Sequence, residues 1–120
     1  MYTVRVKSEF AGAHILKGHG GKCESLHGHN WVVEAEASSK NIDKLGMIVD
    51  FKEMKDTLED VFKSLDHKYL NELEYFSENN PTAEHIAKYI FKNMKEKKPA
   101  LGLTKITVWE TDRYSATYSE

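Results

Sequence analysis

The chain has 120 residues, 40% of them apolar and 30% charged, with a formal net charge of −2. That length fits one domain with a modest core, and the weakly negative balance argues against a nucleic-acid binder, which is ordinarily basic. Its apolar runs fall short of the roughly 18 residues of a membrane span, and the mixed-charge opening "MYTVRVKSEF" does not read as a signal peptide.

Residues 2 to 14 alternate, with Tyr2, Val4, Val6, Phe10 and His14 on one face and Thr3, Arg5, Lys7 and Glu9 on the other. Period two with one apolar face predicts a half-buried strand. "KGHGGK" then interrupts it. A second alternating run covers 29 to 38, where Trp31, Val33, Ala35 and Ala37 share a face with His27 and His29. Helical spacing begins at Asp50, an expected N-cap in a capping box with Glu53. The apolar stripe there is Phe51, Met54, Leu58, Val61, Phe62 and Leu65. After the long connection "DHKYLNELEYFSENNPT", a second helix starts near Pro81 and Thr82. Its stripe is Ile86, Ala87, Ile90, Phe91 and Met94. Lys95, Lys97 and Lys98 suit the negative end of its dipole, and Pro99 stops it. "LTKITVWE" and "RYSATYS" read as two further strands around a tight turn at Thr111, Asp112 and Arg113.

The order ββααββ predicts one α+β domain over residues 1–120, with two helices on one face of a four-stranded antiparallel sheet. Four strands leave open edges, so self-association through them is expected.

Side chains two apart on a strand point the same way. His27 and His29 can therefore approach one metal ion, and His14 joins them if the first two strands pair as a hairpin. Three imidazoles with a fourth position open form a catalytic zinc set. Any single histidine is more often a hydrogen-bonded loop or core residue, but the pair behind a histidine-ended strand favours metal. Cys23 is the lone cysteine, so no intrachain disulfide forms and a reducing, cytoplasmic setting is expected. As a fourth ligand its thiol would close the site; as a non-ligand beside a cation it would be an activated thiolate. Its polar neighbours Lys22, Glu24 and Ser25 argue against a core position. Asp66 precedes His67, and a carboxylate can orient an imidazole, although adjacency alone is a weak signal. Glu110 ends an apolar strand face and could floor a pocket. On charge alone Lys17, Lys22 and Arg113 are candidates for anion contacts, with solvated surface the commoner fate.

Six stretches in order resemble the 6-pyruvoyl-tetrahydropterin synthase and 6-carboxy-tetrahydropterin synthase family. They are "FAGAHIL", "CESLHGHN", "MIVDFKEMK", "LDHKYLN", "NPTAEHIA" and "WET". The resemblance implies a tunnelling fold whose subunits join their sheets into a barrel. The assembly is a homo-oligomer, a trimer or pair of trimers, with active sites between subunits. It implies zinc on His14, His27 and His29, and a pterin substrate anchored by Glu110. Cys23 matches the catalytic thiol, and Asp66 with His67 the proton-relay pair. Only three residues separate Cys23 from His27. That short gap resembles the bacterial and archaeal carboxy-tetrahydropterin synthases of queuosine and 7-deazaguanine biosynthesis, lyases that release acetaldehyde and triphosphate from 7,8-dihydroneopterin triphosphate. The sister reaction, 6-pyruvoyl-tetrahydropterin synthesis by triphosphate elimination, stands as the alternative.

Two other readings compete. Gly21, His27, His29 and Glu34 fit a first cupin motif, with Glu34 as a ligand. Glu34 nevertheless falls on the opposite strand face from His29, and two strong helices do not suit a cupin. A non-catalytic zinc module with Cys23 as fourth ligand leaves Asp66, His67 and Glu110 without a role.

Overall fold

The computed structural model describes residues 1–21 and 25–120; Lys22, Cys23 and Glu24 lie outside the described residues. The first two strands, β1 (Tyr2–His14) and β2 (His27–Ser39), pair antiparallel from Tyr2 opposite Ser39 to His14 opposite His27. The apolar face sets this register, and cross-strand charge agrees with it. Arg5 faces Glu36 with Nε to Oε1 at 3.1 Å, and Lys7 Nζ lies 3.7 Å from Glu34 Oε1. A slip of one residue would bury these charges and expose Phe10 and Trp31.

Helix α1 (Phe51–Phe62) follows, then the two-residue strand β3 (Lys68–Tyr69) and the single-turn helix α2 (Tyr75–Glu78). Helix α3 (Ala83–Lys97) leads into β4 (Leu103–Trp109) and β5 (Ser115–Ser119). The sheet order is β3-β1-β2-β4-β5. The α+β class holds, but β3 and α2 are inserted between the two long helices of the expected ββααββ order, and the sheet is mixed and five-stranded. β3 adds a parallel edge at Gly12 and Ala13 of β1. Two residues carry no periodic signal, so this strand is decided by the edge it meets.

Both long helices lie on one sheet face, α1 against β1 and α3 against β4 and β5. Between them sits a core of Phe10, Trp31, Val33, Met54, Leu58, Ile90, Phe91 and Ile106, each at most 2% exposed. Asp50 caps α1 by accepting from Lys52 N at 2.9 Å, and Glu53 turns toward Lys98 at 3.8 Å. Thr82 caps α3 through His85 N at 3.1 Å. Each cap contributes about 1 kcal/mol. Phe51 departs from the expected stripe and is 64% exposed, because it is the first helical residue and burial begins a turn later at Met54. Lys97 and Lys98 do more than suit the dipole: they reach Asp60 and Glu53 and tie α3 to α1. No helix among the described residues is long and apolar enough to cross a membrane.

Candidate metal centre and active site

His14 closes β1 and His27 opens β2, directly opposite each other. His29 is one pleat period further along. Strand parity points all three rings to the helix side, where Trp31 comes next and is fully buried. The ring centroids are 4.4 Å apart for His14–His27, 5.2 Å for His14–His29 and 4.9 Å for His27–His29. Trp31 packs edge-on beneath His14 and His29, at 5.0 and 5.1 Å, and donates Nε1–H to Gly12 O at 3.1 Å. That makes it the floor of the cluster.

Two backbone carbonyls settle which nitrogens face inward. Pro81 O lies 2.7 Å from His14 Nδ1, and Ser25 O lies 2.7 Å from His27 Nδ1. A carbonyl only accepts, so each Nδ1 carries the proton and each Nε2 keeps its lone pair. His14 Nε2 and His29 Nε2 are buried without a hydrogen-bond partner. An unsatisfied buried nitrogen ordinarily costs about 1–3 kcal/mol. Two at one point fit a cation that takes both lone pairs. Burial is the main force holding His14 and His29 below the ordinary imidazole range. At His14 the Pro81 carbonyl opposes it and His27 reinforces it; at His29 Glu110 opposes it. Both rings are therefore neutral near pH 7, the state a metal requires.

Glu110 follows β4 on the face of Ile106 and Val108, and Glu110 N donates to Tyr114 O at 3.1 Å to close the turn. Its Oε1 lies 3.4 Å from His29 Nε2. One ligand atom each from His14, His27, His29 and Glu110 lies within 4.8 Å of the others. Among the described residues this group could hold a metal ion. The three imidazole nitrogens suit zinc, with the Glu110 carboxylate standing beside them. Sequence reasoning gave Glu110 a pocket role and missed its closeness to the histidines. It also missed Trp31 as their floor, although Trp31 sits two residues past His29 on the same face.

The adjacent pair does face itself. His67 takes a positive φ of 58°, which swings its ring back so that Nδ1 meets Asp66 Oδ2 at 3.0 Å. Asp66 Oδ1 accepts from Ala11 N at 2.9 Å, and His67 N donates to Ala11 O at 2.7 Å. His67 is largely exposed. It lines an open hollow of about 500 Å³ together with His29, Asn30 and Tyr69. The Ala11 N–H, and after it His67, hold the Asp66 carboxyl below its ordinary value of 3.8. A depressed carboxyl stabilises the fold above its unfolded pKa, and that contribution is lost as pH falls through the folded value. Asp66→Asn should therefore be less stable than the parent at neutral pH, with the gap closing below pH 3.8. Urea unfolding across that range measures it, and a gap that persists in acid would remove the carboxylate as its source.

Cys23 lies outside the described residues, as does Lys22. Lys17 and Arg113 are exposed. Glu34, the ligand a cupin would need, points to the other sheet face and accepts from Trp109 Nε1 at 3.2 Å. The cupin reading fails on that placement.

Residues 3–120 match the family model described as 6-pyruvoyl tetrahydropterin synthase. The 6-carboxy-5,6,7,8-tetrahydropterin synthase of Haemophilus influenzae is 30% identical, with all of both chains covered. The enzyme of that name from Synechocystis is 34% identical, covering 98% of this chain and 93% of the relative. Among solved structures, the 6-pyruvoyl tetrahydropterin synthase of Caenorhabditis elegans superposes with a TM-score of 0.91 at 28% identity, covering 99% of this chain and 95% of that one. A match over nearly the whole length, in sequence and in fold, makes this chain a member of the 6-pyruvoyl tetrahydropterin synthase family.

Proposed function

We propose that the protein is a zinc-dependent 6-carboxy-5,6,7,8-tetrahydropterin synthase, a cytoplasmic lyase. With the uptake of one water it converts 7,8-dihydroneopterin triphosphate to 6-carboxytetrahydropterin, acetaldehyde and triphosphate, a step toward queuosine and other 7-deazaguanines. The observation that carries this reading is the convergence of two orphaned imidazole nitrogens, a third imidazole and Glu110 at one point. The name shared by the relatives narrows the reaction.

His14, His27 and His29 would hold the zinc through Nε2. When bound, zinc supplies a Lewis acid that acidifies carbon-bound protons beside coordinated substrate oxygens. Cys23 is the general base for such a proton. His67, held by Asp66 through Nδ1, lines the hollow and returns or removes a second proton. Glu110 anchors the pterin, since a carboxylate accepts two parallel hydrogen bonds from its 2-amino and ring N–H groups. The subunits assemble as a trimer or a pair of trimers, with active sites between them. The open edge at β5 and the exposure of Leu45, Phe51 and Tyr114 support association. Light scattering that finds a monomer at micromolar concentration would count against the assembly.

The sister reaction is favoured by one observation, the fold match to a 6-pyruvoyl tetrahydropterin synthase. Incubation with 7,8-dihydroneopterin triphosphate separates the two. The carboxy reaction yields acetaldehyde and a 6-carboxy pterin by mass. Triphosphate release without acetaldehyde, and a 6-pyruvoyl product, would replace the first reading with the second.

Glu110→Gln tests the anchor. It keeps the shape but exchanges one acceptor oxygen for a donor, and should weaken binding of a pterin analogue by roughly 1–3 kcal/mol. Zinc content should not change. A fall in zinc content with pterin affinity intact would make Glu110 a metal ligand instead.

A further inference from the structure

The outer edge of β1 is held in an unusual way where it approaches the metal centre. Ala11 is gripped by Asp66 and His67, and Ala13 pairs with Tyr69 in β3. β3 ends there, yet the chain leaving His14 remains bound at every second residue. Asn71 Oδ1 accepts from Ile15 N at 2.9 Å, while Asn71 Nδ2 donates to Ile15 O at 2.9 Å. Asn80 repeats the pattern on Lys17, accepting from its N at 3.2 Å and donating to its O at 2.9 Å. Each side-chain amide offers one acceptor and one donor to a single residue, as the backbone of a neighbouring strand would.

Asn80 is itself held. Its own carbonyl lies 2.8 Å from Thr82 N and 2.7 Å from His85 Nδ1. The next residue, Pro81, supplies the carbonyl that orients His14. The two amides thus hold the chain just after His14 against the segment that fixes its tautomer.

We propose that Asn71 and Asn80 are positioning residues for the metal centre. They act as substitute strand pairs that lock the end of β1 against residues 66–82, keeping the His14 ring on the Pro81 carbonyl with Nε2 turned to its two partners. The same lock ties the Asp66–His67 pair to that register, since all of these groups grip one strand edge. The inference rests on the proposed zinc site.

The test is zinc affinity, measured by competition with a chromophoric chelator on the full chain. Groups that orient a ligand are typically worth about 10- to 100-fold in metal affinity. Asn71→Leu and Asn80→Leu remove both hydrogen bonds at similar size, and each should weaken zinc binding by about that factor while the far-ultraviolet circular dichroism is kept. Asn71→Asp and Asn80→Asp keep the acceptor and lose the donor, and should lie between parent and leucine variants. They carry the test if a leucine variant does not fold. Met94→Ala, in the core on α3, lowers stability without touching this edge and should leave zinc affinity within about twofold. Affinities within twofold of the parent in folded Asn71 and Asn80 variants would overturn the proposal, as would an equal loss in Met94→Ala. Failure of the parent itself to bind zinc would instead bring down the zinc reading on which the proposal stands.

Discussion

Replacing His27 and His29 together with alanine is expected to abolish metal binding and, with it, turnover. The double variant leaves His14 and Glu110 as the remaining members of the group that could hold the ion. Apparent zinc binding energies in four-ligand sites are about 10–16 kcal/mol. Losing two of three nitrogen donors should cost on the order of 5 kcal/mol or more, over a thousandfold in affinity. Elemental analysis after dialysis should find about one zinc per parent chain and almost none in the variant. The fold should survive, because His27 and His29 lie at the loop end of the hairpin while the core residues Trp31, Val33 and Ala35 follow on the same face. Glu34→Ala should keep its zinc, since Glu34 lies on the opposite face with Trp109 and Lys7. Full zinc occupancy in the double variant would sink the three-histidine centre.

Cys23→Ala is the second large effect. The expected result is retained zinc, retained fold and much of the pterin affinity, with turnover down roughly 10²-fold or more. Three histidines could already hold the ion, and Glu110 stands beside them. A thiolate ligand in addition would close the position that the substrate needs. A thiol near a cation loses its proton more readily than the ordinary value of about 8.5 allows, which suits proton transfer near neutral pH. Cobalt substitution gives an independent check, because a thiolate ligand produces an intense charge-transfer band. Zinc lost in proportion to activity would make Cys23 a ligand, and near-full turnover would leave the proton to His67 or another group.

Strand parity alone determined much of the centre. His14 shares the even-numbered face of the first strand with Val6 and Phe10, and His27 and His29 share theirs with Trp31 and Val33. Pairing those two apolar faces onto one core was enough to bring the three rings together. The two long helices, the cap at Asp50, and the turn before the last strand were equally legible, because each is set by residues within a few positions of one another. The rest was decided by contacts across long stretches of chain, which no local pattern encodes. Glu110 reaches His29 only because β4 pairs with β2 and carries it there. The lone pairs of His14 and His27 are aimed by the carbonyls of Pro81 and Ser25, and every residue has a carbonyl, so the sequence does not mark these two. Asp66 and His67 are adjacent in the chain, but they face each other through a positive φ at a non-glycine residue. That conformation is unfavourable locally and is held by the bonds of both residues to Ala11. Asn71 and Asn80 look like ordinary loop residues until the open edge of β1 is laid beside them. Their amides pair with the backbone of Ile15 and Lys17 just past its end, and only the assembled fold determines which partners are within reach.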